Sequence, residues 1–299
     1  GFFAPGTDPL YDLTVDVSGK YLQIRQSTLI TVANDFTIDA GTVATHSGFT
    51  PDITVSGNMD ITGVLGESQE VGTYTFGALD IKSGGTYNAT SGTTALNPTG
   101  SGQPYLQTGT YTHNNGLFHI TATNSAGTTD MTGGILGPFY DLKFDAVTAS
   151  EIRKNMSFEN SLIVNTGVVR PTVANATWTC GTATSSAYIS GTVSSPISVH
   201  DNPISSDAYF TVQASSSLYP VALKGYEWDW SYVGTPQGIK FGGVDCQFNI
   251  NTTNGNDDEA NVFKLIDQSS FQNVTVEKDS TFDCSGQRFE CLKITTHTD

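Results

Sequence analysis

Three stretches of the chain share one phrase: ITVANDFTIDAGT from Ile30, ITVSGNMDITG from Ile53 and YTFGALDIKSGGT from Tyr74. Each holds an apolar-Thr-apolar run, a tight turn, a second run ending in Ile, and a corner containing Gly. Val32 aligns with Val55 and then Phe76, in steps of 23 and 21 residues. Ile38 aligns with Ile61 and then Ile81, in steps of 23 and 20. A short unit that recurs at nearly constant length cannot bury its apolar face alone, so it must stack on its neighbours. Alternation of period two makes the runs strands with one buried face. A step of this size is one coil of a parallel β-helix, and the chain is expected to be all-β, a parallel β-helix or solenoid. Antiparallel β-sandwich domains are the alternative, because they also space short strands evenly.

A longer duplication overlies the coils. Tyr11-Asp12-Leu13 with Val15 and Asp16 recurs as Tyr140-Asp141-Leu142 with Phe144 and Asp145. Ile24-Arg25 recurs as Ile152-Arg153, and both copies close on Gly-x-Val, at Gly41–Val43 and Gly167–Val169. Val15 and Phe144, and Ile24 and Ile152, are therefore expected to point inward at equivalent places. Residues 1–10, with two Pro and two Gly, read as an N-terminal arm without regular structure. Residues 11–138 read as a first β-helical segment, ending at a Gly- and Pro-containing boundary, and 139–299 as a second. The stretch from Thr90 to Thr110, rich in Ser, Gly, Thr and Pro, reads as a looser excursion from the first. An aromatic-rich insertion interrupts the second near 219–235.

Composition narrows the partners. Lys and Arg total 13 against 29 Asp and Glu, a formal charge of -16. Phosphate backbones and anionic membrane surfaces are held by clustered Lys and Arg, so nucleic acid is excluded as the expected partner. No apolar run reaches the ~18 residues that a spanning helix needs, so no membrane insertion is expected. The four cysteines, Cys180, Cys246, Cys284 and Cys291, show no C-x-x-C spacing. They allow three pairings or free buried thiols.

Three stretches carry residues that chemistry uses. Tyr226, Trp228, Trp230 and Tyr232 crowd together beside Glu227 and Asp229. Exposed, such aromatics stack on sugar rings or anchor a protein partner; on an inward face they plug a coil. Glu227 and Asp229 are two residues apart, so a strand sets both on one side, roughly 7 Å apart. Two carboxyls at about 5–10 Å are what glycoside hydrolysis requires, and two solvated acids would look the same in sequence. Asn256, Asp257, Asp258 and Glu259 form an oxygen-rich loop, suited to calcium or to a solvated turn. The five histidines have no metal-ligand spacing, and neither Gly-x-Ser-x-Gly nor a Gly-x-x-x-x-Gly-Lys loop occurs. No cofactor and no catalytic signature are expected.

Thr31-Val32, Phe36 to Thr42 and Val55 to Ile61 resemble coils of the β-helical structural proteins of bacteriophages and other viruses: tailspikes, tail or head fibres and particle decoration proteins. The resemblance covers about residues 20–200 best, and secreted adhesins and polysaccharide lyases share the same coil. It implies a protein of the virion surface or extracellular space, homo-oligomeric and most often trimeric. It would bind other virion or surface proteins and a host glycan receptor. A polysaccharide depolymerase of the tailspike kind, and a cell-surface adhesin or extracellular filament subunit, are the alternatives. No catalytic motif of that family matches residue by residue.

Overall fold

The structure, a computed structural model, describes residues 1–67, 70–99, 102–121, 129–171, 176–185 and 187–191. Beyond these it describes segments 197–198, 210–215, 221–224, 228–229, 239–241, 248–249, 262–264, 269–276, 281–283 and 289–296. Every regular element among the described residues is a strand, and every pairing given is parallel. The fold is a parallel β-solenoid. The chain divides into two compact units, Gly1–Thr148 and Ala149–Asp299.

In the first unit each coil has three sides, and each side stacks into its own ladder. The first ladder begins at Ile30–Val32 and runs through the starts of Ile53–Ile61 and Thr73–Ile81 to Thr93–Leu96 and Leu117–Ile120. It ends on residues 141–144 of the strand Leu136–Ile152. One inward row of this ladder is Val32, Val55, Phe76, Leu96, Ile120 and Phe144, each the register partner of the next. All six are at most 1% exposed. The second ladder carries Phe36, Met59, Leu79, Tyr105 and Met131 in the same manner. The third carries Val43, Leu65, Tyr87 and Tyr111. The equivalences read from the sequence, Val32–Val55–Phe76 and Ile38–Ile61–Ile81, are register partners.

Rings fill the middle coils. Tyr74, Phe76, Tyr87, Tyr111, Phe118 and Phe139 form a connected chain of ring contacts with centroids 4.8 to 6.5 Å apart. Most meet edge-on or tilted, the geometry that aromatic quadrupoles favour. Burial of a Phe side chain stabilises by about 1.5–3 kcal/mol, so this column is a large part of what holds the coils together.

Corners are built from glycine and aspartate. Gly41, Gly63, Gly85 and Gly109 stack at the corner between the second and third ladders. A Cβ there would run into the backbone carbonyl of the coil before: of Val17, Gly41, Ile61 and Lys82 respectively. At the corner between the first and second ladders, Asp12 Oδ1 accepts the backbone N–H of Asp35 at 3.2 Å. Asp35 Oδ1 in turn accepts that of Asn58 at 2.8 Å. Each carboxylate thus satisfies a turn donor that no strand reaches.

Three expectations need correction. Phe2–Phe3 of the expected arm is a strand paired with Gln23 and Ile24, and Leu10 bridges Val32. Pro5, Gly6 and Pro9 fall between these contacts, so they bend the segment without preventing pairing. Residues 90–110 are not an excursion. Thr93–Leu96 and Gly102–Gln107 are rungs of the first and second ladders, with Leu96 and Tyr105 fully buried. Thr94 and Gln107 are buried beside them, so polar residues occupy inward positions and hide the apolar alternation. Finally, Val15, Ile24, Phe144 and Ile152 are all buried, but Val15 pairs with Ile38 in the second ladder and Phe144 with Ile120 in the first. The Tyr-Asp-Leu likeness therefore reports strand alternation and not equivalent places.

The second unit is also parallel. Met156–Pro171 pairs with Ala176–Cys180 and Tyr188–Gly191. These continue to Phe210–Ala214 and Val221–Lys224. Trp178 partners Val212 and Ile189 partners Leu223, so this coil is 34 residues long where those of the first unit are 20 to 26.

Candidate functional site

The residues that the sequence singled out fall in the second unit. Trp228 and Asp229 form a two-residue strand whose register partners are Ile197 and Ser198. Tyr226, Glu227, Trp230 and Tyr232 lie outside the described residues, as do Asn256, Asp257, Asp258 and Glu259. Among the described residues no group of three or more His, Cys, Asp or Glu could hold a metal ion. No described helix is long and apolar enough to cross a membrane.

Three polar clusters in the first unit stand out. The first is inside. Glu70 is 1% exposed, at the corner between the third and first ladders. Its carboxylate accepts the N–H of Thr45 at 2.8 Å, the N–H of Glu67 at 3.2 Å and the hydroxyl of Tyr74 at 2.9 Å. The Thr45 hydroxyl also donates to it. A buried carboxylate needs such donors to remain in place. Burial first, and the Glu70 charge second, push the Tyr74 hydroxyl far above the ordinary tyrosine range. With every polar group engaged, this cluster is a fastener of the corner.

The second cluster is on the outer side of the second ladder. Asp60 and Asp80 are register partners on adjacent coils. Lys82 lies 3.6 Å from Asp60 and 3.9 Å from Asp80. Desolvation raises the Asp80 carboxyl above the usual aspartate range; Lys82 opposes this and Asp60 adds to it. Parallel stacking brings like residues at like coil positions to one strand spacing, about 4.8 Å. One lysine then offsets the repulsion. Such a partly exposed pair contributes little net stability.

The third cluster is on the outer side of the first ladder. His119 Nε2 lies 2.6 Å from Asp145 Oδ2, and Lys143 Nζ lies 2.7 Å from the same oxygen. With Asp145 ionised beside Lys143, the imidazole donates through Nε2–H. His119 is held below the ordinary histidine range, by desolvation first and by the Lys143 charge among the lesser causes; Asp145 acts the other way.

None of these clusters was legible in the sequence. Glu70 sits in a corner segment with no motif, and only the coil closing over it buries it. His119 and Asp145 are 26 residues apart, one coil plus two. The coil period is the signal that could have joined them, had it been carried past Ile81. The described aromatics of the first unit, meanwhile, mostly fill the core.

No protein-family model matches the chain, and neither a curated protein nor a solved structure matches it.

Proposed function

We propose that the chain is a structural protein of the exterior of a virus particle, a tail spike or fibre or a capsid decoration. It assembles as a homo-oligomer, a trimer, and touches neighbouring surface proteins and host-surface glycans. The observation that supports this most is the coil stack itself. Its three ladders stack coil on coil through the first unit, and its interior is filled by side chains. A solenoid of this kind offers repeated lateral surfaces for subunit and ligand contacts. The outward row of the first ladder begins with short uncharged side chains, Thr31, Thr54 and Thr75, which are register partners.

The test is immunogold electron microscopy of material from the producing culture, with antibody raised against the chain, and sedimentation of the purified protein. Label on tails or capsids and a trimeric mass are expected. Label on cell-attached filaments would replace the reading with a filament subunit. Release of reducing ends from a host polysaccharide, abolished by Glu227→Gln or Asp229→Asn, would replace it with a depolymerase.

A further inference from the structure

We propose that His119, Asp145 and Lys143 form an acid-sensitive clasp between two neighbouring rungs of the first ladder. Leu117–Ile120 and residues 141–144 run in register, with His119 opposite Lys143, so both side chains belong to one outward row. Asp145, just beyond, receives both on a single oxygen, at 2.6 and 2.7 Å. With a neutral imidazole the three groups sum to zero charge. Protonation of His119 sets two cations against one carboxylate whose charge Lys143 already balances.

Among the described residues of the neighbouring rungs, the charged groups are few. On the far side, Thr93–Leu96 contributes Ala95 as register partner and no titratable group. Leu117–Ile120 itself has no second charge. The remaining charged residue of the facing strand segment is Asp141, opposite Leu117. Partial burial further disfavours the imidazolium. The consequence has a definite sign. A histidine whose folded-state titration lies below 6.5 binds its proton more readily in the unfolded chain. Stability from this contact is complete above pH 6.5 and is lost as pH falls through the folded-state midpoint. An ordinary exposed histidine–carboxylate pair would strengthen on acidification; here desolvation first, with the Lys143 charge adding to it, inverts the response.

The experiment is an NMR titration of His119 in the full chain, from about pH 8 to about pH 4.5, with amide exchange followed across residues 117–120. The His119 midpoint is expected below 6.5. Lys143→Met should raise it and Asp145→Asn lower it. Beyond the ordinary pH dependence of exchange chemistry, protection at 117–120 should fall on acidification in the native sequence and stay level in His119→Gln. A midpoint at or above 6.5 would overturn the clasp, as would one indifferent to Lys143→Met. Loss of protection that persists in His119→Gln would do the same. The Lys143→Met titration decides the matter even if the histidine variant fails to fold.

Discussion

Gly63→Ala tests the corner architecture directly. Gly63 has an ordinary negative-φ backbone, so the substitution meets a purely steric obstacle. The added Cβ would lie 2.6 Å from the carbonyl oxygen of Gly41, 2.9 Å from Ile38 Cγ2 and 3.1 Å from the carbonyl carbon of Ala40. Ordinary contact begins at 3.4 Å, so the two coils must part locally by most of an ångström. That displacement strains three backbone bonds: Thr62 and Gly63 N–H to Ile38 O, and Thr86 N–H to Gly63 O, each 2.9 Å. Overpacking of this kind costs about 1–3 kcal/mol, and the three hydrogen bonds, stretched but not broken, together add about 1 kcal/mol. The lower entropy of the unfolded Ala chain returns about 0.4–1 kcal/mol. The net cost is about 2–3 kcal/mol. Hydrogen exchange at Thr62, Gly63 and Thr86 reads it locally, as a rate increase of about 30- to 150-fold. Gly134→Ala is the control, since its Cβ would meet only Gln107 O, at 3.5 Å; it should be neutral or slightly stabilising. If both variants exchange at the same rate near their sites, the close approach of coils is not what demands glycine.

Three further outcomes follow from the interior. Phe118→Ala removes a fully buried ring that touches Tyr105, Tyr111 and Phe139; urea unfolding should show a loss of about 3–5 kcal/mol. Glu70→Gln keeps the shape but sets an amide N–H₂ against donors, so a loss of about 2–3 kcal/mol is expected by the same assay. Tyr74, Tyr87, Tyr105 and Tyr111 all have hydroxyls raised above the usual range, chiefly by burial. They should stay protonated in an ultraviolet titration until the chain unfolds. The unfolded chain releases those protons first, so stability should fall as pH rises above about 10; four phenols titrating normally in the folded state would refute the buried column.

The sequence by itself determined the strand content, the coil length of the first unit and the register of its first three coils. It could do so because inward positions repeat as large apolar residues while Thr and Asp alternate outward, and because corners demand Gly. The same logic failed at 90–110, where buried Thr94 and Gln107 break the apolar alternation of the strands that place Leu96 and Tyr105 inside. It also failed for the Tyr-Asp-Leu copies, whose alternation any strand can share. Tertiary structure alone decided the rest. Closure of one coil over another buries Glu70 with its four donors, and a coil of some 24 residues brings His119 and Lys143 into one row beside Asp145. Such groups carry no local pattern. Their partners lie a full turn away, and their chemistry exists only once the turns are stacked.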